Sequence, residues 1–351
     1  MNCLKLNNNQ TDQERWFNLL SNSINGNYLS SIPYLDIYRS KGWDVISYLY
    51  EENQKDVAGV HFLTRSYLKK TFKIASINSG FIFLGEPAKV LFDKLLTHFL
   101  EWAESRNAVF LRINPRVPQL INGNEIPYSK MIHNLLVSNG FRPLKNEDYT
   151  YWIDLHLSED ELLKRMKKQT RYEVRKGLKS KIEVERYDSF NQEIFLKFWE
   201  LYSTLGKMKE FSTMSRQEFY LLIKSLLDFE LASLFVLIYE QKIINISLCA
   251  KVNIGAYMYG AMDPGFKLIN DCPSPGPMAQ WEMITYLKSR GIRYYDLGFC
   301  PGPVPYKNHS QYNIWNFKYG FGGEHVQFMP TYVKKLKPIR GMLIETLMRA
   351  R

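Results

Sequence analysis

SRNAVFLRIN (105–114) and SRGIRYYDLG (289–298) are two helix-to-strand joints, 184 residues apart, that share a Ser-Arg pair at Ser105/Arg106 and Ser289/Arg290. Two identical residues prove nothing alone; the order of elements around each joint carries the argument. Before the first joint, runs rich in β-branched and aromatic residues predict strands over 44–50, 57–67 and 73–83. Pro87 sits where a first helical turn tolerates it, and Val90, Leu91, Leu95, Phe99 and Trp102 keep a period near 3.6 as far as Arg106. Asn107 stops that helix, and 108–114 reads as a buried strand. The second half repeats the order: strands over 233–239, 243–252 and 255–262, the proline-rich turn DCPSPGP, a helix over 278–290 closed by Gly291, and a buried strand over 292–298. Three strands, turn, helix, strand, met twice, describe a duplicated α/β unit. At 351 residues the chain is also too long for one ordinary core, and about 150 residues per domain gives two. Outside the repeats, helices are predicted over 11–20, 33–40 and 128–138, the last ending at Gly140.

Between the halves, a strand through Asp154 leads to Ser158, which with Glu161 three residues on forms a capping-box signature. One helix is predicted to run from there over 161–179. Leu162, Met166, Thr170, Val174 and Leu178 make its less polar stripe, while Lys164, Arg165, Lys167, Lys168, Arg171, Arg175, Lys176 and Lys179 fill the other faces against one acid, Glu173. Charge runs usually form solvated faces. Here the imbalance exceeds what internal pairing relieves, and like charges four apart cost a few tenths of a kcal/mol each, which a polyanion offsets. The net charge of +11 points the same way without choosing among RNA, an anionic membrane surface and a nucleotide diphosphate.

Several classes are excluded or disfavoured. Cys3, Cys249, Cys272 and Cys300 show no CxxC pairing and no histidine at metal-ligand spacing, so free thiols in a reducing cytoplasm are the simpler reading, with no metal and no cofactor expected. The start has no apolar signal region, and no stretch approaches the ~18 uninterrupted apolar residues of a membrane span. The expectation is a cytoplasmic monomer. Ser-His-Asp, Walker and metal-cluster patterns are absent from the sequence, and the six histidines have no sequence-visible partners.

KQTRYEVRKG (168–177), PGPMAQWEMITYLKSRGIRYYDLG (275–298) and YNIWNFKYGFGGE (312–324) resemble, in order and spacing, segments of the Fem-type peptidoglycan bridge-forming enzymes, the FemABX family. The last is the most specific, and together they span most of 150–325. The resemblance implies an α/β (α+β) fold of two tandem GNAT-like domains, with mixed central sheets flanked by helices. Domain 1 would hold the precursor over 1–150 plus 328–351, and domain 2 the tRNA side over 151–327. It implies an aminoacyltransferase that moves a Gly, Ala or Ser type of residue from aminoacyl-tRNA to the side-chain amine of a stem peptide, on UDP-MurNAc-pentapeptide or lipid II. The family's coiled-coil arm would be a heptad run within domain 2. None lies between Phe190 and Leu231, so this chain is similar to the short, armless members.

Lys318, in the FKYGFGG segment with Phe317, matches the family lysine at the reaction centre. A fixed ammonium there stabilises charge that grows on the carbonyl oxygen only in the transition state; the plainer alternative is a surface lysine beside a glycine-rich turn. Tyr257 and Tyr259 alternate on a strand, so their rings are expected on one face, either as a half-buried pair or, by the resemblance, lining the precursor channel. Arg216 and Tyr220, four apart on a helix, match an Arg-x-x-x-Tyr pair that meets the nucleotide diphosphate, for which a five-donor guanidinium is suited; a solvated helix face is the alternative. Arg39 and Lys41 are placed at the same diphosphate by position only. Lys167, Lys168, Arg171, Arg175 and Lys176 are assigned to the tRNA acceptor stem, recognised through phosphates and shape. The basic tail, with Lys334, Lys335, Lys337, Arg340, Arg349 and Arg351, extends that surface or touches an anionic membrane.

Two other functions compete. An acyl-CoA N-acyltransferase needs a glycine-rich loop whose free N–H groups hold a pyrophosphate. LGEPAKV (84–90) puts Glu86 and Pro87 there, and DCPSPGP has three prolines, which donate none. A non-catalytic RNA-binding protein fits the charge but leaves the Trp281–Glu282–Met283 helix and the 317–323 segment unexplained.

Overall fold

The computed structural model describes residues 1–7, 9–67, 72–145, 148–302 and 304–349, so Arg351 of the basic tail lies outside the described residues. The chain divides into two compact units, Met1–Asp148 with Val326–Arg351, and Tyr149–His325. In chain order the first contains β1 (Asn2–Lys5), α1 (Gln10–Asn22), α2 (Ile32–Ser40), β2 (Asp44–Glu52), β3 (Lys55–Tyr67), β4 (Phe72–Ile77), β5 (Phe81–Phe83), α3 (Lys89–Ser105), β6 (Ala108–Ile113), β7 (Pro118–Ile121), β8 (Asn124–Glu125), α4 (Pro127–Ser138) and β9 (Arg142–Pro143). The second contains β10 (Tyr149–Asp154), α5 (Glu159–Arg165), α6 (Lys168–Leu178), β11 (Glu183–Tyr187), α7 (Gln192–Met208), α8 (Arg216–Asp228), β12 (Ala232–Tyr239), β13 (Lys242–Ala250), β14 (Ile254–Met262), α9 (Pro275–Ser289), β15 (Tyr294–Asp296) and α10 (Tyr312–Tyr319). After β16 (Glu324–Phe328), β17 (Tyr332–Lys335) and α11 (Pro338–Arg349) return to the first unit.

The duplicated order is present in both sheets. In unit 1 the strands run β1-β2-β3-β4-β6-β17-β9, and in unit 2 β11-β12-β13-β14-β15-β10. Each sheet is mixed and flanked by helices: β6 lies parallel to β4 and antiparallel to β17, and β15 lies parallel to β14 and antiparallel to β10. In unit 1, α3 buries Phe92, Leu95, Leu96, Phe99 and Trp102 against Phe62, Phe81 and Phe83. The α9 helix does the same in unit 2 with Met278, Trp281, Met283, Ile284 and Leu287 around Tyr295. Fully burying each such side chain contributes about 1.5–3 kcal/mol.

Four local expectations need correcting. The run over 73–83 is two strands, because Gly80 turns the chain at φ +80° and abuts the Pro115 carbonyl, where a Cβ would overlap, so β5 pairs back on β3. Pro87 precedes the helix rather than opening it: Ala88, with extended backbone, is the N-cap of α3. Val90 stands exposed, outside the buried stripe. The helix expected from Met278 starts at Pro275, since prolines lose nothing in a first turn whose N–H groups have no intrahelical partner. Among the described residues no helix is long and apolar enough to cross a membrane.

Candidate active site

Lys318 is buried near the end of α10, 9% exposed. Its Nζ donates to the Phe299 carbonyl at 2.5 Å, just past the carboxyl end of β15. Asp296, also buried, ends that strand. Its Oδ1 accepts from the Gly298 amide at 2.7 Å and from the Thr150 hydroxyl, which also lies 2.8 Å from the Gly298 carbonyl. Gly298 is required here: at φ +76°, an added Cβ would stand 3.0 Å from the Tyr257 carbonyl and 3.5 Å from Lys318 Nζ. Burial pulls the Lys318 ammonium down to about 8, against the opposing pull of Asp296 and Cys300. It is therefore mostly cationic at neutral pH, and with one proton on Phe299 it keeps two more to donate. Burial raises the Cys300 thiol to about 11, so it stays protonated. Phe317 is half-buried, edge-on to Phe321 at 5.2 Å and next to Gly276 in the first turn of α9, so its ring forms an apolar wall.

Asp296, Thr150 and Gly298 are missing from the sequence-derived site. The sequence puts Asp296, in the DLG that ends the predicted strand over 292–298, near the active segment but reads it as a core or surface residue; nothing local pairs it with a threonine 146 positions earlier.

The basic segment and the glycine-rich segment meet. The helix expected over 161–179 breaks at Met166–Lys167 into α5 and α6. There the Lys167 amide leaves the helical ladder and donates to the Gly320 carbonyl at 2.9 Å. A Cβ on Gly320 would overlap Thr170 Oγ1, and one on Gly322, at φ +71°, would overlap the Arg165 carbonyl. The Lys167 Nζ stands 4.0 Å from the Tyr319 ring centroid and 3.3 Å from Asn316 Oδ1, while Arg171 donates to the Lys164 carbonyl at 3.3 Å. Both of these cations hold the joint together. Lys168, Arg175 and Lys176 are exposed, and the last two line a groove of about 710 Å³ with Tyr172, Lys179 and Lys181. The capping box at Ser158 and Glu161 is formed as expected.

Tyr257 and Tyr259 do not share a face. A β-bulge where β14 pairs with Leu248 and Cys249 inserts one residue, so Tyr257 faces the core with Tyr295 and α9, and Tyr259 faces α7 and α8. Tyr259 packs on Tyr202 at 5.8 Å and Phe219 at 5.5 Å, while the Tyr257 carbonyl lies beside Gly298 and Lys318. Arg216 is exposed in the first turn of α8, and the Tyr220 ring meets Phe190 and Phe195 edge-on, each at 5.2 Å. In unit 1, Arg39 pairs with Asp36 at 2.7 Å, and Lys41 caps α2. Of the tail, Lys335 is held by Glu345 at 2.9 Å.

A family model described as the FemAB family matches residues 13–243. The chain belongs to the FemAB family. That membership makes it a transferase of the peptidoglycan bridge-forming kind, and the match ends before Lys318 and the FKYGFGG segment. The crystal structure of FemX is similar over 97% of this chain and 100% of that one, with TM-score 0.84 and 17% identity. A tandem GNAT protein from the clavulanic acid biosynthesis pathway gives TM-score 0.55 at 9% identity, covering 95% of this chain and 98% of that one. L-PGS from Bacillus licheniformis gives 0.54 at 10%, covering 97% and 96%. At these identities the likeness establishes a shared fold of paired GNAT-like units. The comparison with curated proteins finds no match.

Proposed function

We propose that this transferase moves an amino acid of the Gly, Ala or Ser type from aminoacyl-tRNA to the side-chain amine of a peptidoglycan precursor peptide, carried on UDP-MurNAc or on lipid II. The observation that carries the reading is the buried Lys318 ammonium at the carboxyl end of β15, with Asp296 near it and two protons uncommitted. The precursor amine attacks the aminoacyl carbonyl, the C–N bond forms, and the carbonyl electron pair becomes an oxyanion that Lys318 stabilises. Collapse breaks the ester C–O bond, and the amine's proton passes to the departing ribose oxygen. A preorganised donor in a water-poor site acts on charge that exists only in the transition state.

Phe317 flanks the reacting carbonyl in this reading, and Tyr257 lies alongside. Lys168, Arg175 and Lys176 contact acceptor-stem phosphates from unit 2, with Lys167 and Arg171 shaping the surface. Arg216 and Tyr220 take the precursor diphosphate, with Tyr259 on the same α8 side of the sheet, and Arg39 and Lys41 of unit 1 are candidates for a diphosphate by sequence position only. The reaction is cytoplasmic, needs no cofactor, and the enzyme works as a monomer. A lipid-linked acceptor would bring the basic tail to the membrane surface.

The test is a mass-spectrometric assay with charged total tRNA and either UDP-MurNAc-pentapeptide or lipid II. The expected result is a gain of one amino-acid residue on the stem peptide that requires the charged tRNA. Gain from acyl-CoA, or none with any charged tRNA, refutes the reading.

A further inference from the structure

The β10 and β15 strands fall out of register beside Lys318. Trp152 pairs with Asp296, and the Leu297 amide donates to the Tyr151 carbonyl at 3.0 Å. The next bridge then joins Tyr149 to Cys300 rather than to Phe299, with the Cys300 amide on the Tyr149 carbonyl at 2.8 Å. Two residues, Gly298 and Phe299, therefore stand opposite Thr150 alone. This is a β-bulge, and Gly298 at φ +76° supplies the left-handed first position that such a bulge favours. The bulge frees a carbonyl: Phe299, displaced from the ladder, gives its oxygen to the Lys318 ammonium at 2.5 Å.

The extra residue of a bulge is left unpaired by the partner strand, so other groups have to hold it. Here two buried side chains do so. Asp296 holds it from its own strand, with Oδ1 accepting from the Gly298 amide at 2.7 Å. Thr150 holds it from across the ladder: its hydroxyl donates to the same Asp296 oxygen and lies 2.8 Å from the Gly298 carbonyl. With one proton for two acceptors, that hydroxyl stays in the corner whichever of them takes it. The path from Thr150 to Lys318 is thus continuous, running through the Gly298 carbonyl, the neighbouring Phe299 carbonyl and the Nζ that donates to it. Valine in place of Thr150 would fill the same space with the same β-branched shape, and would leave two buried acceptors without that proton. An ammonium that has to meet an oxyanion is sensitive to aim, since a misplacement of about 1 Å can cost on the order of 10²-fold in rate.

We propose that Thr150 is a positioning residue for Lys318: with Asp296 it clamps the Gly298–Phe299 bulge, and the clamped Phe299 carbonyl aims the ammonium at the reacting carbonyl. The clamp itself stands on the geometry of unit 2. Its bearing on transfer rests on the proposed function.

The experiment uses the full chain as wild type, Thr150→Val, Thr150→Ser, Lys318→Met and the Thr150→Val/Lys318→Met double variant, with melting temperatures measured alongside. The first readout needs no substrate: acetic anhydride labelling of the Lys318 amine near neutral pH, followed by mass spectrometry. Thr150→Val should label about fivefold faster, the size of one lost hydrogen bond, and Thr150→Ser as wild type does. The second readout is single-turnover transfer at saturating substrates. Thr150→Val should slow it by about ten- to a hundredfold with little change in either KM, Thr150→Ser should recover most of the rate, and in the Lys318→Met background Thr150→Val should cost nothing further. Thr150→Ala gives the same readings should the valine variant fail to fold. Unchanged labelling of Lys318 in a folded Thr150→Val overturns the clamp. An equal loss of transfer with and without Lys318 overturns the positioning role, as does unchanged transfer in Thr150→Val. Because labelling involves neither tRNA nor precursor, its failure leaves the transferase reading standing, and absence of transfer by wild type refutes that reading while the labelling still judges the clamp.

Discussion

The Lys167 amide donates to the Gly320 carbonyl across 2.9 Å, at the point where α5 gives way to α6. That bond joins the basic segment to the segment that holds Lys318, so the glycines of FKYGFGG serve close approach as much as turning. Gly322→Ala sets a Cβ against the Arg165 carbonyl at a left-handed φ, and should destabilise by about 1–3 kcal/mol or more. Gly291→Ala is the control, since it is also left-handed but faces open space and should cost about 1 kcal/mol. Equal losses in urea denaturation would refute the packing argument.

Lys318→Met should lower single-turnover transfer by roughly 10²–10³ at saturating substrates, the effect of losing one preorganised oxyanion donor. Its melting temperature should not fall. Below about pH 8 the buried ammonium opposes folding, because the unfolded lysine, with its ordinary value near 10.5, holds its proton more tightly. Stability from this group therefore rises as pH climbs from about 8 towards 10.5, and the methionine variant should lack that rise. A stable variant with near wild-type transfer would remove Lys318 from the mechanism.

The pH dependence of transfer follows from the same group. The step should slow as pH rises through about 8, where Lys318 loses the proton it donates. A rate that instead rises through this range would make the neutral amine, acting as a base, the active form.

His61 sets an acid limit on unit 1. It is fully buried beneath Trp16, its Nε2 donates to the Ser30 carbonyl at 3.0 Å, and its Nδ1 accepts from Ser47 at 2.8 Å, so it folds neutral, with burial pushing it down to about 3. As pH falls from about 6.5 towards 3, the unfolded chain takes up a proton that the folded chain refuses, and stability drops through that window. Urea midpoints at pH 7, 5 and 4 should fall less steeply in His61→Gln than in wild type.

Neutralising Lys168, Arg175 and Lys176 together should weaken tRNA binding and flatten its salt dependence, by about 0.7–0.9 in log–log slope for each phosphate that is no longer neutralised. Precursor binding should survive. These three are chosen because Lys167 and Arg171 are engaged at the α5–α6 joint. Unchanged affinity in a salt titration would free this face of its assignment.

Local pattern was enough for most elements. The helical periods apart from Val90, the β-branched runs apart from 73–83, the capping box at Ser158 and the stops at Asn107, Gly140 and Gly291 depend on neighbours within a few residues, and they are present in the structure. The duplicated order foretold paired sheets for the same reason. Readings that needed a distant partner went otherwise. The run over 73–83 broke because Gly80 meets Pro115, the basic helix broke because Gly320 takes the Lys167 amide, and Tyr257 and Tyr259 parted because β13 imposes a bulge.

Hydrophobic period and element order are written along the chain, and they were enough to point to two α/β units, while it was the resemblance of FKYGFGG to the family segment that singled out Lys318. What surrounds that lysine was settled by folding. The Phe299 carbonyl accepts from it, Asp296 acts on its charge while held by Thr150 from another strand, and the burial that lowers its proton affinity is a property of the assembled core.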